Sequence, residues 1–196
     1  MDPAATIAAM DLRSVIRDQG RIRGDLLMVD TFLNHRVDTA VMGGVGEELA
    51  TRLASFAPDV ILTAEASGIP PAMATAAHMR LPFVYAKKFV GDPRPNSIGQ
   101  TVSSPTKGFE YRVEVAGHIL DPGLRIAVVD DFLARGRTAQ ALGEIAEEAG
   151  GQVVATAFVI EKVSFGGHDL LARHGWPIFS LVRIGSLEND TIDFVD

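Results

Sequence analysis

The stretch Arg125-Ile126-Ala127-Val128-Val129-Asp130-Asp131-Phe132-Leu133-Ala134-Arg135-Gly136-Arg137-Thr138 decides the fold. Its apolar first half reads as a buried strand that ends in two adjacent carboxylates, and a turn containing Gly136 leads into a helix at or near Thr138. Backbone N–H groups at a helix start attract phosphate. Paired acidic side chains accept hydrogen bonds from vicinal sugar hydroxyls. Carboxylates repel phosphate, so the pair and the turn must hold different ends of one ligand. A phosphorylated ribose meets that requirement.

Outward from this motif, helices and buried strands alternate. Val41, Val45, Leu49 and Leu53 form an apolar stripe that predicts a helix over 39–56. Beyond Pro58, Val60-Ile61-Leu62-Thr63-Ala64 reads as a buried strand, followed by Glu65-Ala66-Ser67-Gly68. A helix then begins near Pro70 or Pro71, where proline is tolerated in the first turn. Pro82 opens the strand Phe83-Val84-Tyr85-Ala86, which runs into Lys87-Lys88. Tyr111 to Val115 alternates like a strand with one wet face, and Asp121-Pro122-Gly123 is a turn. The helix from about 138 to 149 is closed by Gly150-Gly151. An apolar strand over 153–160 then ends in Glu161-Lys162. Short helices are expected at 14–20 and 170–174 and a strand at 179–184, whereas 26–35 is apolar without a clean period.

This alternation implies an α/β fold, a mostly parallel twisted sheet with helices on both faces. In such a sheet ligands collect beyond the carboxyl ends of the strands. Glu65-Ala66-Ser67-Gly68, Lys87-Lys88, Asp130-Asp131 and Glu161-Lys162 would then converge on one rim.

Composition narrows the function. A formal charge of -7 argues against a nucleic-acid binder, which would show a basic face. The chain has no cysteine, which removes disulfides, thiolate catalysis and Cys-ligated zinc. No apolar run approaches a membrane span. The first 20 residues lack a basic segment before an apolar core and do not read as a signal peptide, so the cytoplasm is the default compartment. No strand is followed by G-x-G-x-x-G and no G-x-x-x-x-G-K-[ST] occurs, which disfavours dinucleotide enzymes and ATPases.

The segment 126–138 resembles the ribose-phosphate signature of the type I phosphoribosyltransferases. The resemblance extends through Phe32-Leu33-Asn34-His35, Glu65-Ala66-Ser67-Gly68-Ile69, Val159-Ile160-Glu161-Lys162 and Arg183-Ile184-Gly185-Ser186-Leu187, covering nearly the whole chain. The Phe-Leu-Asn-His and Ile-Glu-Lys elements look like those of the branch acting on xanthine.

What the resemblance implies can be given residue by residue. Ala134, Arg135, Gly136, Arg137 and Thr138 would hold the 5-phosphate of 5-phosphoribosyl 1-pyrophosphate (PRPP), and Asp130 and Asp131 would face its ribose hydroxyls. Ala66, Ser67 and Gly68 would form the pyrophosphate turn, which in this family often contains a non-proline cis peptide. Leu27 and Asn34 would contact the base, Lys162 would donate to a purine oxygen and Phe132 would lie against the ring. Read without the family, Lys162 is a solvated lysine at a strand end, Leu27 is core, and Glu65 caps the next helix. Lys87 and Lys88 are by base rate a solvated pair, yet their place at a strand end suits pyrophosphate. Arg135 and Arg137 depart from the small residues many relatives carry in the phosphate turn, and either add charge to the site or point to solvent.

One domain over 1–196 is expected, with a hood from about 1–38 and 165–196 and a lid at about 89–110. Segment 91–108 is rich in Pro, Gly, Ser and Thr, and only Ile98 and Val102 stand out as core candidates. It is either a surface hairpin or a lid that excludes water. Pro93, Pro95 and Pro105 depart from the family there. The implied reaction joins a purine to PRPP with release of pyrophosphate, using Mg²⁺ carried by PRPP and no direct protein ligand to the metal. Xanthine, with carbonyls at C2 and C6, suits donors such as Asn34 and Lys162. The alternatives are another purine (guanine, hypoxanthine or adenine) and a non-catalytic nucleotide sensor of the same fold. The resemblance also implies a homodimer.

Overall fold

The computed structural model describes residues 11–24, 26–104, 109–188 and 191–196. Expectations that fall on 1–10, on Pro105 and Gly108 of the lid, and on 189–190 of the hood lie outside the described residues.

The strand of the opening motif, β7 (Arg125–Leu133), lies in the middle of an eight-stranded sheet. On one side it pairs in parallel with β3 (Val60–Ala64), which pairs in parallel with β4 (Phe83–Phe89). On the other side it pairs in parallel with β8 (Gln152–Lys162), and β8 with β9 (Ile178–Glu188). Antiparallel strands close both edges. β5 (Ser97–Ser104) and β6 (Phe109–Ala116) add a hairpin to β4, and β10 (Thr191–Val195) pairs with β9. A separate two-stranded ribbon, β1 (Arg21–Arg23) with β2 (Leu26–Met28), stands near the amino-terminal helix α1 (Leu12–Gln19).

Burial on both faces of the central strands explains their unbroken apolar runs. Val60 to Ala64 and Ile126 to Val129 are all buried. Helices α2 (Thr39–Leu53) and α3 (Ile69–Met79) cover one face, where Val45, Leu49, Leu53, Ala72 and Ala76 pack with Ile61, Ala127 and Val129. Helix α4 (Arg137–Glu148) covers the other, where Leu142, Ile145 and Ala146 pack with Leu62, Ile126 and Val128. The expected stripe Val41, Val45, Leu49, Leu53 is buried in full. Asp38 starts α2 by accepting from the N–H groups of Ala40 at 2.9 Å and Val41 at 3.2 Å.

The structure departs from the sequence reading at several elements, and within 91–108 it shows the hairpin alternative. Residues 97–104 form β5, which pairs with β6 from Ser97↔Ala116 to Ser104↔Phe109. Backbone bonds to a partner strand hold its small polar residues, and Val102 enters the core. β4 continues to Phe89, so Lys87 and Lys88 lie inside a strand rather than beyond its end. The last helix, α5 (Gly167–Ala172), begins three residues earlier than the expected 170–174. β10 was not anticipated, and its pairing is interrupted by a register shift between Asp193 and Phe194.

Candidate active site

Because β3, β4, β7 and β8 are parallel, their carboxyl ends share one rim, and part of the expected set (Ser67, Lys88, Asp130 and Asp131) lines one cavity there. Asp130 and Asp131 are 7% and 5% exposed although both carry carboxylates. Asp131 accepts from Asn34 Nδ2 at 3.1 Å through Oδ2 and from Ser67 Oγ at 3.0 Å through Oδ1. Three separate chain segments therefore meet on one side chain. Asp130 Oδ1 accepts from the backbone N–H of Asp131 at 2.9 Å. Burial, reinforced by the neighbouring Asp131 charge, pushes the Asp130 carboxyl well above the usual carboxylate range, while Lys88 pulls it down.

The turn after β3 carries a cis peptide between Glu65 and Ala66. Glu65 does not cap α3. Its Oε1 accepts from the Lys88 backbone N–H at 2.8 Å and ties this turn to β4. No side chain caps the start of α3, whose N-cap is Gly68. A Cβ on Gly68 would stand 2.5 Å from Asp130 Oδ1, so only glycine lets this turn pass against the carboxylate.

On the phosphate side, Gly136 precedes α4 with φ 73°, a region glycine enters freely. The first turn of α4 likewise has no side-chain cap, leaving its N–H groups for an anion. Thr138 Oγ1 lies 3.0 Å from Tyr111 Oη, so the β5–β6 hairpin touches the phosphate turn. Behind the turn, Gly167 donates its N–H to the Ala134 carbonyl at 2.9 Å.

These residues surround a cavity of about 350 Å³ whose lining includes Ser67, Lys88, Asp130, Asp131, Thr138 and Phe165. Phe132, Ala134, Arg135, Gly136 and Arg137 line it as well. A second cavity of about 370 Å³ is walled by Lys162, Phe165 and the segment from Ile184 to Glu188. Phe165 belongs to both. Lys162 Nζ is 5.9 Å from the centre of the Phe132 ring and 5.4 Å from that of Phe165. The Arg135 guanidinium lies 5.7 Å from the centre of the Phe165 ring.

The sequence-predicted residues do not all gather. Lys87 and Lys88 separate, because adjacent strand residues face opposite ways. Lys88 lines the Asp130 cavity, whereas Lys87 lines a different one with Phe83, Tyr85, Arg94 and Glu114. Leu27 is buried in the core beside α1 and lines neither site cavity. Phe165 and Gly167 were missed. Nothing local in the sequence shows that Gly167 packs behind Gly136.

Residues 34–173 match the family described as phosphoribosyl transferase domain. The chain is 48% identical over 170 residues to a xanthine phosphoribosyltransferase of Chloroflexus aurantiacus, covering 87% of this chain and 81% of that one. It is 42% identical over 191 residues to a xanthine phosphoribosyltransferase of Moorella thermoacetica, covering 94% and 95%. Among solved structures, an adenine phosphoribosyltransferase from Rhodothermus marinus superposes with a TM-score of 0.72 at 22% identity, covering 87% of this chain and 97% of that one. At that identity the likeness concerns the fold alone.

Proposed function

The chain belongs to the phosphoribosyltransferase family, and from that premise we propose that it transfers the 5-phosphoribosyl group of PRPP to N9 of xanthine, giving xanthosine 5′-monophosphate and pyrophosphate. The observation that carries the reading is Asp131, which joins Asn34 of the base side to Ser67 of the pyrophosphate side beside the phosphate turn. The relatives identical at 42–48% are xanthine enzymes, and they support this base over the adenine of the more distant structures.

In this reading the first N–H groups of α4 and the Thr138 hydroxyl hold the 5-phosphate. Ala134, Arg135, Gly136 and Arg137 complete that turn, and Arg135 shields the site with Phe165. Asp130 and Asp131 accept from the ribose hydroxyls and lie beneath the anomeric carbon, where positive charge develops as in glycoside cleavage. Fixed carboxylates stabilise that charge without reorganising. Ala66, Ser67, Gly68 and Lys88 receive the departing pyrophosphate, and we withdraw Lys87 from that role within one protomer. Asn34 and Lys162 donate to the xanthine carbonyls, and Phe132 packs on the ring. Leu27 supports the base side by packing. No covalent intermediate is required, since holding two reactants in line removes much of the barrier.

Mg²⁺ would reach the site on PRPP rather than on a protein ligand, since no described cluster of His, Asp or Glu could hold it alone and the carboxylate pair already faces Lys88. When bound, the ion would neutralise the leaving pyrophosphate. We also read residues 1–196 as one domain, with the hood and the lid over 89–110 as outlined above, and as one half of a homodimer. Exposed Tyr85 and Ile119, which line one cavity away from the carboxylates, support the dimer. No described helix is long and apolar enough to cross a membrane, and a cytoplasmic enzyme fits the absence of cysteine. The decisive assay measures pyrophosphate release from PRPP with xanthine, guanine, hypoxanthine and adenine. Xanthine is expected to be fastest, and faster use of adenine would sink the base assignment.

A further inference from the structure

Glu161 is a carboxylate 1% exposed that the proposed chemistry does not use. It stands in β8 immediately before Lys162, directly across from Arg183 of β9. Its Oε2 accepts from Ser180 Oγ at 2.9 Å and lies 3.3 Å from Arg183 Nε. Its Oε1 lies 3.3 Å from Nδ1 of His168, the second residue of α5. One buried carboxylate thus lies against side chains of two further elements, bonded to Ser180 and within 3.3 Å of Arg183 and His168 though outside hydrogen-bond geometry for those two. Removal of a partner from a buried ionic group leaves charge uncompensated, so such a cluster favours one arrangement of the elements it joins.

Each of those elements carries part of the site. Arg183 leads into the segment from Ile184 to Glu188 that faces Lys162 across the second cavity. His168 follows Gly167, whose N–H holds the Ala134 carbonyl at 2.9 Å. Gly167 also packs so closely that a Cβ on Gly136 would lie 3.0 Å from its carbonyl oxygen and 3.1 Å from its Cα. The path from the purine wall to the phosphate turn therefore runs through two residues on either side of Glu161.

We propose that Glu161 is a positioning residue for both halves of the site, fixing the purine wall through Arg183 and the 5-phosphate turn through His168. The two arms are separable. His168 serves the PRPP half, and Arg183 serves the base half. The inference rests on the assignment of those halves to PRPP and a purine.

The test uses the two arms rather than Glu161, whose burial makes its replacement a risk to folding. The His168 and Arg183 side chains are 43% and 35% exposed. His168→Leu is expected to raise the KM for PRPP about three- to tenfold, with the KM for the purine unchanged within about twofold. Arg183→Met is expected to do the reverse. The conservative variants separate positioning from mere packing. The amide nitrogen of Asn takes the place of Nδ1 in His168→Asn, and that of Gln takes the place of Nε in Arg183→Gln, so each returns its KM towards wild type. Arg183 also donates to the Asp196 carbonyl, a bond the Gln side chain is too short to keep. Recovery in Arg183→Gln therefore assigns the effect to Glu161. If both KM values move together in either Leu or Met variant, if neither moves, or if the amides fail to restore them, the proposal is overturned. Turnover by the wild-type protein tests the choice of base separately, and the split is read with whichever purine it accepts.

Discussion

Replacing Gly68 by alanine tests whether the pyrophosphate turn and Asp130 are fitted to one another. The added Cβ would stand 2.2 Å from Thr63 Oγ1, 2.5 Å from Asp130 Oδ1 and 3.0 Å from the Ala64 carbonyl. Non-bonded carbon contacts settle at about 3.5–4.0 Å, so the methyl overlaps the hydroxyl and the carboxylate by about 1 Å each. Neither neighbour has room to yield, since Thr63 is 0% and Asp130 7% exposed. Overpacking of this kind costs about 1–3 kcal/mol. Near the middle of that range, Tm falls by about 4–8 °C for a chain of this size. The turn or the carboxylate must then shift by a comparable distance, and a misplacement of about 1 Å costs about a hundredfold in rate. The assay is thermal melting with kcat/KM for PRPP. In the double variant Thr63→Ala with Gly68→Ala the hydroxyl overlap disappears and the carboxylate overlap remains. Melting should partly recover while activity stays low. A single variant that melts within about 1 °C of wild type and keeps kcat/KM within about twofold would refute the argument.

Two further outcomes follow from the same site. The folded-state pKa of Asp130 is raised, so between 3.8 and that value the folded protein holds a proton the unfolded chain releases. Stability present below pH 3.8 is thus lost as pH rises through the folded value. Asp130→Asn removes this loss, so without substrate its melting advantage over wild type should widen from about pH 4 to pH 8 while activity collapses. A melting difference that does not change with pH would contradict the burial argument. Lys88→Ala should lower kcat/KM about a hundredfold, as for other lost electrostatic donors, and Lys87→Ala by less than about threefold. Equal losses in steady-state assays would return Lys87 to the site.

The central strands and their glycine turn were legible because burial on both faces leaves short unbroken apolar runs, bounded by turn residues and too short for a helix. The stripe of α2 was legible for a different reason, since Val41, Val45, Leu49 and Leu53 repeat at the helical period. The edges were not. β5 holds Gly99, Gln100 and Thr101, whose strand conformation comes from hydrogen bonds to β6 rather than from their own preference. The adjacency of Lys87 and Lys88 suggested shared duty, but once β4 was seen to continue through them, alternation forced them apart. Phe165 and Gly167 serve the site through contacts with residues about 30 positions earlier, and spacing along the chain carries no trace of that.

The two ends of the described chain lie side by side. Arg13 of α1 donates to the Val195 carbonyl at 3.1 Å and to the Asp196 carboxylate at 3.2 Å. Its guanidinium and that of Arg17 also rest on the Phe194 ring. Neighbouring ends make a fold open to circular permutation. A short linker could join them, and the exposed Pro122-Gly123 turn, where Gly123 has φ 86°, offers a place to open the chain. In such a permutant the base-side hood would be one continuous piece of chain. The strands that bear the carboxylates would remain uncut.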